Sequence, residues 1–98
     1  MDWSSGGMPE GIQMKRLGLA NGYVMELYQI APNTVLPKHI HHSPEFLFVL
    51  EGEVFQDGQP VPSGWSVIAE TGTKHDDFRT GEKGARTITV YGTNVEFI

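Results

Sequence analysis

Cysteine is absent from this 98-residue chain, and long hydrophobic stretches are nearly absent too. Without cysteine the chain has neither a disulfide framework nor a thiol nucleophile. Its longest strongly apolar run, residues 46–50, is far shorter than the roughly 20 residues that a membrane-spanning helix requires. Residues 1–5 have no signal-peptide character. We therefore expect no membrane association and a cytoplasmic location.

Basic residues are few as well. Seven Lys and Arg stand against twelve Asp and Glu, for a net charge of −5. No basic cluster exceeds Lys15-Arg16, whereas nucleic-acid binding requires a positively charged face. The chain also lacks a Gly-x-Ser-x-Gly elbow, a phosphate-binding loop, a dinucleotide fingerprint and a His-Glu-x-x-His helix. Nucleic-acid binding and these classes of catalysis are not expected.

Helical periodicity is missing, because no window carries a sustained 3.6-residue apolar repeat with caps. Twelve glycines and six prolines suit many tight turns instead. Asn21-Gly22 separates extended stretches over 12–19 and 23–30, and Asp57-Gly58 separates 53–56 from 59–61, as hairpin turns do. Residues 80–84 predict another turn, ahead of a strand over 85–91. We predict a single antiparallel β domain over residues 1–98, a sandwich or barrel, in which residues 1–9 form a loose arm.

Residues 45–50 predict a buried strand, since they are rich in β-branched and aromatic side chains. Leu47 and Val49 share the face of Glu45 and should line the interior. The alternation leaves three large apolar side chains on the opposite face: Phe46, Phe48 and Leu50. Because a patch of that size is unusual on a monomer, we expect a homodimer. The alternatives are that the other sheet layer or the N-terminal arm packs over it.

The four histidines of the chain are His39, His41, His42 and His75. Neutral imidazoles together with a carboxylate suit Mn, Fe, Ni, Co or Zn ions. If residues 38–42 are extended, His39 and His41 point the same way and His42 points away. Glu45 then opens the buried strand, where a cation would compensate its charge. We predict a metal site formed by His39, His41, Glu45 and His75. The alternatives are an exposed basic turn without a metal and an adventitious metal binder.

The spacing of these residues resembles the first motif of the cupins, which runs Gly, five residues, His-x-His, three or four residues, Glu, six residues, Gly. Here His39, His41, Glu45 and Gly52 occupy the corresponding positions. Asn33 replaces the opening glycine, and asparagine is the other residue that tolerates left-handed turn geometry.

The second cupin motif is similar to residues 64–79. Gly64, Gly72 and His75 match it, whereas Glu70 replaces a proline and Arg79 replaces the terminal asparagine. Neither replaced residue is a metal ligand in the family. The resemblance covers about residues 33–79, and its ligand set is complete.

The resemblance implies a small antiparallel double-sheet jelly-roll barrel without substantial helix. It also implies a divalent metal cofactor, such as Fe, Mn, Ni or Zn, and a small-molecule substrate or ligand. Our first hypothesis is a metal-dependent enzyme, most plausibly a dioxygenase or other oxidoreductase. The second is a non-catalytic ligand-binding or sensing module, and the third is an isomerase or lyase.

Each of five other polar and aromatic residues has both a functional and a structural interpretation. Asp77 and Arg79 share the strand parity of His75 and could contact the site or an anionic substrate, although a solvated strand edge is the commoner case. Tyr28, Trp65 and Tyr91 could line a pocket, or could be core aromatics whose polar atoms find a partner.

Overall fold

The computed structural model describes residues 10–36, 44–70 and 77–92, together with the backbone of residues 39–40 and 96–97. The predicted N-terminal arm lies outside these residues. The strands are β1 (Ile12–Ala20), β2 (Tyr23–Ile30), β3 (His39–Ile40), β4 (Glu45–Gln56), β5 (Gln59–Pro62), β6 (Ser66–Ala69), β7 (Phe78–Gly92) and β8 (Glu96–Phe97). No helix occurs in the described part of the chain.

The strands form two antiparallel sheets. The larger has the order β1-β2-β7-β4-β5, and β6 also pairs with β4; the smaller consists of β3 and β8. β4 is long enough to pair with β6 through residues 45–48 and with β5 through residues 53–56. The prediction of an all-β antiparallel double-sheet fold is confirmed.

Both predicted hairpins are present, and their turn residues adopt the required backbone. Asn21 and Gly22 have φ of 52° and 78°, and Asp57 and Gly58 have φ of 49° and 83°. Two successive residues with positive φ give the turn whose twist matches paired strands. Asn33, which replaces the first cupin glycine, also has a positive φ of 51°.

The predicted turn over residues 80–84 does not separate two strands, because β7 runs through it without a break. The register shows what happens instead. Val54 of β4 pairs with Thr80 and Gly52 pairs with Ala85, so that one residue of β4 faces the four residues 81–84 of β7. The glycine-rich segment is an extended bulge within one strand. Pairing with β4 on both sides holds it there, and that partner cannot be read from the local sequence.

The alternation predicted for β4 is confirmed. Leu47 and Val49 are buried, whereas Phe46, Phe48 and Leu50 are 48%, 41% and 38% exposed. The buried apolar side chains of the large sheet form two clusters, one on β4 and β7 and one on β1 and β2. Leu36 packs against both clusters, so the segment between β2 and β3 covers part of this inner face.

Within the described residues, no helix is long and apolar enough to cross a membrane.

Candidate metal and ligand site

Glu45 is the first residue of β4, and its side chain is only 7% exposed. It pairs with Ala69, the last residue of β6, on one side and with Tyr91 of β7 on the other. It shares the inner face with Leu47 and Val49. A carboxylate in such a place requires compensation by hydrogen bonds or a cation. The burial of Glu45 therefore fits the predicted metal ligand, as does the chemistry of the imidazoles around it in sequence.

The predicted histidine ligands fall largely outside the described residues. The backbone of His39 lies in β3, where it pairs with Phe97, but its side chain is not described. His41, His42 and His75 lie outside the described residues altogether. In the part that is described, no three His, Asp or Glu side chains form a group that could hold a metal ion. The convergence of His39, His41 and His75 on Glu45 thus stays a prediction.

A second carboxylate, Glu26, is completely buried on the same inner face. Its Oε1 atom accepts hydrogen bonds from the hydroxyls of Tyr28 and Tyr91, each at 2.7 Å. Its Oε2 atom lies 3.3 Å from Nη2 of Arg16, whose side chain is 47% exposed at the edge strand β1. We call these four residues, Arg16, Glu26, Tyr28 and Tyr91, the Glu26 cluster.

The surroundings of the two phenols favour their neutral forms. Burial raises the pKa of Tyr28 far above its ordinary value, and the hydrogen bond to Glu26 adds to this effect. Burial, followed by the hydrogen bond to Glu26, raises the pKa of Tyr91 to about 12. Both tyrosines therefore act as hydrogen-bond donors to Glu26 at neutral pH.

The inner face of the large sheet changes character along its strands. It is apolar at the row where Ile30 pairs with Ala85 and polar at the row where Glu26 pairs with Thr89. Between them, buried Thr87 pairs with Tyr28, and its Oγ1 has no hydrogen-bond partner within the described residues. Glu45 lies at the polar end, one strand away from Tyr91. The polar end therefore combines a candidate metal ligand with several other buried polar groups.

Two surface clefts lie at the opposite end of the sheet, beside Gly52 and Lys83. Neither includes a member of the Glu26 cluster or Glu45 in its lining. They are shaped by the bulge in β7 and are distinct from the polar end.

The remaining candidates of the sequence divide between surface and interior. Asp77 Oδ1 accepts hydrogen bonds from Nε and Nη2 of Arg79 at 2.9 and 2.7 Å, and both side chains are well exposed. Asp77 and Arg79 therefore form an ion pair on the surface, as expected of a solvated strand edge. Trp65 is 67% exposed and is not a core aromatic. Tyr28 is buried and Tyr91 is partly buried, and the hydroxyls of both donate hydrogen bonds to Glu26, as expected of inward-facing tyrosines.

Glu26 and Arg16 are the candidate functional residues that the sequence analysis missed. The signal was available, because Glu26 has the same strand parity as Val24, Tyr28 and Ile30, all of which are buried. A charged residue at an inward position of a confidently predicted strand indicates a partnered or functional carboxylate.

Comparison with known proteins places this fold and its motifs in a family. Residues 1–94 match the family model described as the ChrR cupin-like domain. The chain belongs to this cupin family. A comparison with curated proteins gives no significant match.

Solved structures share the cupin fold at low sequence identity. An acetylacetone dioxygenase from Acinetobacter johnsonii has a TM-score of 0.83 at 15% identity, over 100% of this chain and 76% of that one. The polyketide cyclase RemF from Streptomyces resistomycificus has a TM-score of 0.78 at 21% identity, over 99% and 79%. A chain in the structure of Rhodobacter sphaeroides SigE with the anti-sigma ChrR has a TM-score of 0.80 at 18% identity, over 93% of this cupin chain but only 48% of that one. At these identities the likeness establishes the fold.

Proposed function

We propose that this cupin is a metal-dependent enzyme that acts on a small organic molecule. His39, His41, Glu45 and His75 would hold a divalent ion such as Fe, Mn, Ni or Zn. The observation that carries the proposal is the burial of Glu45, which is 7% exposed on the inner face beside the Glu26 cluster. Carboxylates are seldom buried unless they are partnered, and a small-molecule site combines apolar walls with a few convergent polar groups.

A bound ion of this kind supplies Lewis-acid or redox chemistry. The chain's own residues would shape the place where that chemistry occurs. Leu47 and Val49 are buried on the inner face of β4 beyond Glu45, and Tyr91, whose backbone pairs with Glu45, directs its hydroxyl to Glu26 on β2. The fold that the chain shares with an acetylacetone dioxygenase makes oxygen-dependent oxidation of a small substrate the first activity to test.

The test is the metal content of protein purified from its own host, measured by elemental analysis, because heterologous expression can load another ion. Wild-type protein should carry about one ion per chain. His75→Ala should lower the content at least about tenfold, whereas His42→Ala, the matched control that removes the histidine predicted to point away, should not. Equal metal content in both variants would refute the ligand set. A bound ion without turnover across a broad substrate screen would count against an enzyme.

The second candidate is a non-catalytic sensing module. The match to the ChrR cupin-like family supports it, as does the fold shared with a chain in a sigma and anti-sigma complex. Water proton relaxation of the Mn²⁺-loaded protein discriminates between the two. Two exchangeable waters on the ion favour the enzyme, and none favours the sensing module. A metal-free protein with activity would favour an isomerase or lyase.

A homodimer that covers the outer face of the large sheet completes the proposal. Phe46 pairs with Ile68 on one side and with Val90 on the other, and Val90 pairs with Met25. These pairs make the apolar surface continuous across four strands, with Phe48 in the next outward position of β4. Met25, Phe46, Phe48 and Ile68 are 43%, 48%, 41% and 62% exposed. Together they leave on the order of 400 Å² of apolar surface, and a continuous patch of that size often marks an interface.

Sedimentation of the full chain tests the dimer. Wild-type protein should sediment as a dimer of about 22 kDa, twice the chain mass of 10.9 kDa. Phe48→Ser should shift it to the monomer. Val35→Ser, which alters a side chain that is also exposed but lies outside the outer face, should not. A monomeric wild type would leave the N-terminal arm or another protein as the cover.

A further inference from the structure

The Glu26 cluster lies close enough to Glu45 for one small molecule to contact both. Glu45 pairs with Tyr91 of β7, and Tyr91 donates a hydrogen bond to Glu26 on the next strand, β2. Two interstrand spacings of about 4.8 Å separate β4 from β2, which gives roughly 10 Å. A ligand held beside Glu45 can therefore touch the cluster at its other end.

The hydrogen bonds within the cluster determine what it can offer to a ligand. Tyr28 and Tyr91 each have one hydroxyl hydrogen, and both donate it to Oε1 of Glu26 at 2.7 Å. Each phenol oxygen keeps lone pairs, so the pair can accept hydrogen bonds but has no hydrogen left to donate. A complementary ligand must bring its own donors, as hydroxyl groups do.

Thr87 provides a second and independent indication of a ligand. It is 1% exposed, pairs with Tyr28 across the strands, and its Oγ1 has no partner within the described residues. Buried polar atoms in folded proteins are nearly always hydrogen-bonded. A hydroxyl can both donate and accept, and a ligand hydroxyl beside Tyr28 would satisfy that of Thr87.

The charge of Glu26 selects against anions at its own end of the inner face. Glu26 is completely buried, whereas Arg16 contacts it from the edge strand with its side chain half exposed. At the other end a divalent ion would offset the charge of Glu45, so the selection depends on Glu26. A carboxylate on the ligand within several ångströms of Glu26 would be repelled with little screening by solvent. We expect this repulsion to lower the affinity for a carboxylate-bearing ligand at least about tenfold.

We propose that Glu26, Tyr28 and Tyr91, with Thr87, form the recognition site for a neutral polyhydroxylated small molecule. Glu26 holds the two phenols as acceptors for ligand hydroxyls and rejects carboxylate-bearing analogues. The inference rests on the proposed function in that it places this ligand beside Glu45, and it names the class of substrate.

The three tyrosines of the chain allow the site to be observed directly. We would label all of them with ¹³C in the ring, assign Tyr23, Tyr28 and Tyr91 by substitution with phenylalanine, and titrate the protein as purified from its own host with glycerol, erythritol and xylitol. At least one of these polyols should shift the resonances of Tyr28 and Tyr91 saturably and leave that of exposed Tyr23 unchanged. The absence of a saturable shift with all three would overturn the proposal.

Tartrate, which has the four-carbon skeleton of erythritol with terminal carboxylates, tests the selectivity. Glu26→Gln should change the ratio of erythritol to tartrate affinity at least about tenfold in favour of tartrate. Because both proteins carry the same ion, coordination of tartrate to the metal cancels in this comparison. An unchanged ratio would overturn the role of Glu26.

Tyr91→Phe keeps the proposal falsifiable if Glu26→Gln does not fold. It should weaken polyol binding about 3- to 10-fold, whereas the matched control Tyr23→Phe should have no effect. Equal affinities in these two variants would contradict the proposal. Elemental analysis of the same samples separates the two proposals: bound metal without tyrosine shifts refutes only the recognition site, and shifts without bound metal refute only the metal-dependent enzyme.

Discussion

Removal of Glu26 should destabilise the fold although it removes a buried charge. In Glu26→Ala the hydroxyls of Tyr28 and Tyr91 lose their acceptor, and a buried donor without a partner costs about 1–3 kcal/mol. Tyr28 is the more deeply buried, so water can replace the acceptor of Tyr91 more easily. The contact with Arg16 adds at most about 1 kcal/mol, since that side chain is half exposed. Relief of the buried charge offsets part of this, which leaves a net loss of about 2–3 kcal/mol.

Urea unfolding at pH 7.5 measures the effect, with the tyrosine variants as its internal comparison. Tyr28→Phe removes one hydrogen bond to a charged acceptor and should cost about 1.5–3 kcal/mol. Tyr23→Phe, the matched control at an exposed position, should stay within about 0.5 kcal/mol of wild type. In a background that already carries Tyr28→Phe, Glu26→Ala should lower the free energy of unfolding by less than it does in wild type, because the Tyr28 hydroxyl that would lose its acceptor is absent. Additive effects, or a Tyr28→Phe protein as stable as wild type, would refute this account of the cluster.

Three further predictions concern the fold, alkaline pH and the metal. In Gly52→Ala the new Cβ would meet the carbonyl oxygen of Gly84 and lie 2.9 Å from the Cα of Ala85, at a φ of 79°. We expect a loss of at least about 3 kcal/mol in urea unfolding, against less than about 1 kcal/mol for Gly18→Ala, which has open space around it; similar losses would contradict the close packing of β4 on β7. Because the folded pKa of Tyr91, about 12, lies above its unfolded value of 10.0, its contribution to stability is complete below pH 10 and is lost as the pH rises through about 12. Stability measured from pH 10 to 12 should fall more steeply in wild type than in Tyr91→Phe, and parallel slopes would count against a raised pKa for Tyr91 in the folded protein. Imidazole ligands must be neutral, so a chelator should lower the melting temperature at pH 7.5 and have little effect at pH 5, below the ordinary imidazole pKa of about 6.5. If the chelator leaves the melting temperature unchanged at both pH values, the metal contributes nothing to folding.

Local patterns predicted those parts of the fold that depend on local geometry. The alternation of Phe46 to Leu50 assigned each side chain to its face, because a strand offers only two faces. Asn21-Gly22 and Asp57-Gly58 located the hairpins, because their backbone preferences are intrinsic to the residues. Asn33 adopts the left-handed conformation expected where the cupin motif has glycine.

Features that depend on pairing between distant segments were harder to predict. Residues 80–84 have the composition of a turn, yet they bulge within β7 because β4 pairs with residues on both sides of them. Trp65 is exposed, although a large aromatic side chain is more often found in a core. The local sequence around Glu26 does not identify its partners. The hydroxyl of Tyr91, 65 residues away in sequence, lies 2.7 Å from Oε1 of Glu26 only because β2 pairs with β7. Hydrogen bonds of that range arise from the assembled sheet.

The most direct test of the proposed metal centre is anomalous diffraction at the absorption edge of the ion in crystals of the protein from its own host. A single strong peak should lie about 2.0–2.2 Å from a carboxylate oxygen of Glu45 and from one nitrogen each of His39, His41 and His75. A peak elsewhere, or one that lacks His75 among its ligands, would contradict the assignment of this cupin as a metal-dependent protein with that ligand set.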